Sequence, residues 1–196
     1  YMFRSVALEV CGTETLTYQG QEIRLHAPWA RISMAEAVKQ YSGIDFFAWE
    51  NDEQARACLD ERHITYEKGA TRGDCLPLLF DEYVEKNLIQ PTFIMDYPVE
   101  NSPLAKRKAD DPRLTERFEI FICGSEFGNA FSELNDPIDQ RARFVRQVEE
   151  RRALGGKNAK VDEDYVNALE YGLPPTGGMG IGVDRLIMLL TDSASI

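Results

Sequence analysis

The chain has 196 residues, 43% hydrophobic and 28% charged, which is the balance of an ordinary globular protein built on one core. No run of about 18 apolar residues is present, so a helical membrane span is excluded, and the opening "YMFRSVALEV" lacks the order of a signal peptide. A net charge of −11 argues against broad electrostatic attraction to nucleic acid.

In chain order, residues 1–10 read as the tail of a helix already under way, the mark of an excised piece. "ETLTYQGQEIRL" predicts a hairpin turning at Gln19-Gly20. "RISMAEAVKQYSG" predicts a helix, because Ser33 and Glu36 have capping-box spacing and Gly43 closes the segment. Further helices are expected over 52–61 and 75–87, the second capped by Asp74 with Pro77 in its first turn. "TFIMDYP" is a short strand, and "RFEIFICGSEFGNAFSEL" two strands joined near Ser125. Asp136-Pro137 opens a long helix to about Arg152, with proline at its first position. "LGGKNAK" reads as a mobile loop, and Asp162 starts a helix that ends at Gly172. Helices mixed with hairpin-like strands predict an α+β fold with an antiparallel sheet flanked by helices, in one unit over residues 1–196.

Cys11, Cys58, Cys75 and Cys123 are widely spaced and the only histidines are His26 and His63, so a zinc site is not indicated. Buried free thiols in a reducing compartment are expected instead. The basic groups at Lys106, Arg107 and Lys108, and from Arg141 to Arg152, read as local features and a solvated helix face.

Three features carry chemistry. Gly178, Gly180 and Gly182 alternate with apolar residues, which strips one face of a strand before Arg185 opens a helix in which Val183, Leu186, Ile187 and Leu190 share a side. Such a strand admits either a flat ligand beside a fixed cation or close packing of a neighbouring element. The patterns GxGxxG and GxxxxGK[ST] are absent, so neither a Rossmann site nor a P-loop is indicated. Glu119 and Glu126 lie among apolar residues on the two middle strands. They are either held near each other for a divalent cation such as Mg²⁺ or paired with Arg117 as a structural salt bridge. Asn129, Phe131 and Glu133 alternate on one strand face, which suits either a slot for a long cationic side chain or a polar rim with Phe131 in the core.

"GNAFSELNDPIDQRARF", "YPVENSPLAKR" and "GLPPTGGMGIGVDRLIMLLT" resemble the catalytic domain of class II lysyl-tRNA synthetases, in the same order and over essentially the whole chain. The last block is similar to the third signature motif of the class, and the first is specific to the lysine enzyme. The resemblance implies activation of lysine by ATP to lysyl-adenylate, then transfer to tRNA(Lys), in a cytoplasmic homodimer. By matching position it implies Glu119 and Glu126 as Mg²⁺ and ATP ligands, and Arg185 packing over the adenine near the phosphates as the catalytic cation. It also implies Asn129 at the lysine carboxylate, Phe131 on its stem, Glu133 at the ε-ammonium and Gly182 against the substrate. The family's first two signature motifs and its anticodon-binding domain have no counterpart in this sequence, so the chain is expected to be an incomplete catalytic domain, inactive alone. Two alternatives stay open: a lysyltransferase paralogue acting on a translation elongation factor, and a non-catalytic synthetase-like module.

Overall fold

Short local signals set most elements of the computed structural model, which describes residues 1–26, 28–153, 155 and 159–196. Helix α1 (Met2–Cys11) stops at Gly12, whose φ of 71° suits the left-handed cap. Strands β1 (Thr15–Tyr18) and β2 (Gln21–Arg24) form the expected hairpin. Its turn residues Gln19 and Gly20 both have positive φ, 49° and 79°, as a type I′ turn requires. Glutamine is unusual there, and Asp192 holds it, its carboxylate accepting from the Gln19 backbone N–H at 2.6 Å.

The residues "RIS" form strand β3 (Ala30–Ser33), which the helix reading of this stretch did not separate. Four residues without alternation carry no period, and β3 exists because it pairs in parallel with a later strand. Helix α2 (Met34–Ser42) follows with the full capping box between Ser33 and Glu36, and Gly43 closes it. Helix α3 (Asp52–Asp60) is capped by Asn51.

Helix α4 (Arg72–Tyr83) begins earlier than expected, because Thr71 is its N-cap and Asp74 is the reciprocal partner three residues on. Pro77 therefore sits in the helix interior. Its missing N–H leaves the Gly73 carbonyl free, and Asn101 Nδ2 donates to that oxygen at 3.1 Å. The helix ends at Tyr83, and residues 85–87 form a separate 3₁₀ turn.

The remaining elements are β4 (Thr92–Met95), β5 (Arg117–Ile122), β6 (Ser125–Ser132), α5 (Pro137–Ala153), α6 (Glu163–Glu170), β7 (Gly177–Ile181) and α7 (Val183–Thr191). The β5–β6 turn falls at Cys123-Gly124, both at positive φ, just before the expected Ser125. The loop expected at "LGGKNAK" falls mostly outside the described residues.

Five strands form one sheet in the order β3-β4-β5-β6-β7. Every neighbour pair is antiparallel except β3–β4, so the sheet is mixed at that edge. One face is covered at its β3–β5 side by α2, α3 and α4 through Val38, Leu59, Leu76, Leu79, Ile94 and Phe121. The other face packs on α1, the hairpin and α7 through Phe3, Ile23, Leu25, Ile120, Ile122 and Leu189. Fully burying each such large side chain contributes about 1.5–3 kcal/mol. In α7 the inward residues are Leu186, Leu189 and Leu190, whereas Val183 and Ile187 are 61% and 47% exposed. The expected stripe is thus rotated, since the helix pivots on Gly182 and packs on α1 and β1 rather than below its own strand. Among the described residues no helix is long and apolar enough to cross a membrane. All four cysteines are free, but only Cys75 is buried and Cys11 is exposed, which corrects the expectation of four buried thiols.

Ser33→Ala removes the hydroxyl that accepts from the Glu36 N–H and donates to its carboxylate, and leaves only the Ser33 backbone N–H to Glu36 bond of the capping box. The substitution is expected to cost about 1 kcal/mol, read as a melting temperature lower by about 2–4 °C in a thermal scan.

Candidate functional site

The register of the sheet gathers the candidate residues on one face. Arg117 and Glu119 of β5 stand opposite Phe131 and Asn129 of β6, which stand opposite Gly178 and Gly180 of β7. Residues paired across neighbouring strands share a face, so the basic, acidic, amide, aromatic and bare positions form one surface. This surface continues beyond the part roofed by α2 and α4.

Glu119 is 9% exposed. One of its oxygens accepts from Arg117 Nη2 at 2.6 Å and the other from the Tyr97 hydroxyl at 2.8 Å. The pairing with Arg117 is therefore present. Direct pairing of Glu119 with Glu126 is not: Glu119 stands against Asn129 and Glu126 against Phe121, with Phe127 of β6 as the extra residue where the register shifts. The two carboxylates meet instead as walls of a single cavity of about 250 Å³, together with Asp81, Glu85, Tyr97, Asn101 and Arg117.

Burial first, and then the charge of Glu119, raise the pKa of Glu126, while Arg185 and Arg117 pull it back. Burial and Glu119 likewise raise Asp81, and burial, Asp81 and Glu119 raise Glu85. Asp81 and Glu85 escaped the sequence reading. Their only signal is an i, i+4 acidic pair beside the buried residues Phe80 and Val84. Asn101 Oδ1 is buried in this region without a hydrogen-bond partner among the described residues.

These groups fit a hard divalent cation in chemistry: carboxylate and amide oxygens, mutual repulsion and an unsatisfied acceptor. Among the described residues, however, no group of three or more histidine, cysteine or acidic side chains stands ready to hold a metal alone. One or two carboxylates completed by ligand oxygens is the mode the donor set allows.

The second half of the surface lies on β6 and β7. A Cβ on Gly178 would come within 2.2 Å of Glu133 Oε1, so the bare position makes room for that carboxylate. On Gly180 and Gly182 an added Cβ meets nothing nearer than 3.9 and 3.6 Å, and both have ordinary negative or open backbone geometry. Close packing therefore explains Gly178 and leaves Gly180 and Gly182 unfilled.

Glu133 makes no side-chain hydrogen bond or ion pair among the described residues, although its charge reaches Tyr165 of α6 and, after burial, raises that phenol. Phe131 is half-buried on the surface and is not part of either core. Asn129 Oδ1 accepts from Arg117 Nε at 3.1 Å. Arg185, in the first turn of α7, is exposed and donates from Nη1 to the Glu126 carbonyl, which sets its cation between the acidic cavity and the bare strand.

A mostly antiparallel sheet with helices over one flank, an acidic cavity and a glycine edge strand leading to an arginine is the architecture of a class II synthetase catalytic domain. The family model for tRNA synthetases class II (D, K and N) matches residues 1–196, and the chain belongs to that family. Within it, the chain is 53% identical to a lysine–tRNA ligase of Thermoanaerobacter pseudethanolicus and 55% identical to one of Pelotomaculum thermopropionicum, in both cases along 100% of its length. A lysine–tRNA ligase of Clostridium tetani is 52% identical along the same extent. The chain spans 39% of the length of each of these relatives.

The raised carboxylates have a stability consequence. A carboxyl whose folded pKa lies above its unfolded value contributes fully below the unfolded value and loses that contribution as pH rises through the folded one. Burial and the charge of Glu119 thus oppose the ionised form of Glu126 in the folded chain. Glu126→Gln is expected to raise the melting temperature at neutral pH, with the gain disappearing below about pH 4, the ordinary carboxylate range. An equal gain at both pH values would contradict the charge origin.

Proposed function

We propose that this chain is the C-terminal part of the catalytic domain of a lysine–tRNA ligase, and that the full-length protein activates lysine with ATP and esterifies it to tRNA(Lys). The observation that carries the reading is Glu133, a carboxylate without a partner among the described residues, seated over bare Gly178 on the same strand face as Phe131 and Asn129. A lysine side chain supplies what this slot lacks: an apolar stem for Phe131 and a cation for Glu133. The naming of the relatives as lysine–tRNA ligases supports it.

In this reading Asn129 meets the lysine carboxylate, Gly182 lies against the substrate, and Gly180 leaves the strand open for it. Arg185 packs over the adenine and sets its charge beside the phosphates. Glu119 and Glu126 would hold Mg²⁺, which would supply charge neutralisation on the ATP phosphates. A lysine carboxylate oxygen then bonds to the α-phosphorus while the bond to pyrophosphate breaks, giving lysyl-adenylate and pyrophosphate. This chemistry depends on positioning and electrostatic stabilisation and needs no protein nucleophile. Transfer of lysine to the tRNA 3′ end follows. The full-length protein is proposed to act as a cytoplasmic homodimer, with the remaining signature motifs and the anticodon-binding domain in the part not represented in this sequence.

Glu133→Gln in the full-length protein keeps the side-chain size and removes the charge. It is expected to weaken lysine binding by about 2–5 kcal/mol, read as a raised lysine KM in ATP–pyrophosphate exchange with the ATP KM little changed. An unchanged lysine KM would remove Glu133 from the site.

The isolated 196-residue chain is expected to show no useful lysine-dependent exchange. Loss of even one preorganised donor to developing charge costs about a hundred- to a thousandfold in rate. Turnover within about tenfold of the full-length protein, about 1.4 kcal/mol in barrier, would contradict the proposed division of the site.

A further inference from the structure

Arg117 has no role in the scheme above, yet it touches both halves of the surface. Its side chain is 16% exposed. Nε donates to Asn129 Oδ1 at 3.1 Å, Nη1 to the Asn101 carbonyl at 2.9 Å and Ser102 Oγ at 3.0 Å, and Nη2 to Glu119 Oε1 at 2.6 Å. The guanidinium also lies 4.5 Å from the centre of the Tyr97 ring, and the Tyr97 hydroxyl fixes the other Glu119 oxygen. Its plane therefore has one orientation.

The consequence for Asn129 follows from donor chemistry. An arginine nitrogen only donates, so the amide must turn its oxygen toward Nε. Asn129 Nδ2, with its two N–H groups, is then directed away from Arg117, and it has no acceptor among the described residues. An amide turned the other way would present an oxygen to any anionic ligand on this face.

We propose that Arg117 is a positioning residue that joins the two halves of the site. It holds the Asn129 amide with Nδ2 donating toward the carboxylate of the amino-acid substrate, and it fixes Glu119 on the nucleotide side. This rests on the lysine–tRNA ligase reading. A lysine at position 117 keeps the charge but replaces the planar fork with a single point of donation, which cannot serve Asn129, Ser102 and Glu119 together.

The test uses the full-length protein and pyrophosphate exchange. Arg117→Lys is expected to raise the lysine KM about tenfold or more, the loss of one charge-assisted contact. Inhibition by 1,5-diaminopentane, which keeps the cation and stem but has no carboxylate, should stay within about twofold, or about 0.4 kcal/mol. In an Asn129→Ala background, Arg117→Lys should add less than about twofold, because members of one hydrogen-bond network are not additive.

Equal penalties in both backgrounds, or parallel loss of lysine and diaminopentane recognition, would overturn the role of Arg117. If Arg117→Lys does not fold, Asn129→Asp carries the test. It offers Arg117 an acceptor but the substrate no donor, and a wild-type lysine KM there would overturn the proposal. Absence of lysine-dependent exchange in the wild-type protein is a different result, which sinks the ligase reading itself.

Discussion

A guanidinium taken out of water must find an acceptor for its N–H groups, and in this protein the acceptors of Arg117 come from three separate parts of the chain. It binds Glu119 on its own strand, Asn129 on the next, and residues 101–102 in the turn after β4. That turn in turn sends Asn101 to the Gly73 carbonyl, which Pro77 leaves without a helical partner. The position of α4 over the sheet, and with it the position of Asp81 and Glu85, is thereby tied to the strand that carries Glu119. A proline inside a helix costs one backbone hydrogen bond, and here the vacancy becomes the attachment point between helix and site.

The same polar layer concentrates acidic charge in one place. The net charge is −11, and four carboxylates line one cavity of about 250 Å³. Each of Asp81, Glu85 and Glu126 is held above its ordinary pKa first by burial. Repulsion among ionised carboxylates is relieved by an added cation, and in this cavity four carboxylates face the single guanidinium of Arg117 among the described lining residues. Arg185 stands at the edge of that field, on the turn from the bare strand into α7.

Much of the local structure was legible in the residues. The hairpin at Gln19-Gly20, the Ser33–Glu36 capping box, the proline opening α5 and the Asp162 cap of α6 all rest on side chains that satisfy backbone groups within a few residues. Strand alternation likewise placed Asn129, Phe131 and Glu133 on one face, because a period of two needs no knowledge of partners. The three sequence blocks also sufficed to indicate the family.

What depended on partners distant in the chain was not legible. Strand β3 has no period of its own and exists through its parallel pairing with β4. The extra residue Phe127 in β6 decides that Glu119 faces Asn129 rather than Gly128, and a one-residue offset of this kind leaves no trace in alternation. Asp81 and Glu85 join the site only because α4 crosses the sheet above Glu119. The choice between two uses of the bare glycines was likewise spatial. Gly178 gives way to the Glu133 carboxylate, while a Cβ on Gly180 or Gly182 would meet neighbours only at ordinary contact distance. Short-range hydrogen bonding and periodicity were thus determined by the sequence itself. The convergence of charges was decided by tertiary structure, since repulsion, burial and pairing depend on distances that only packing sets.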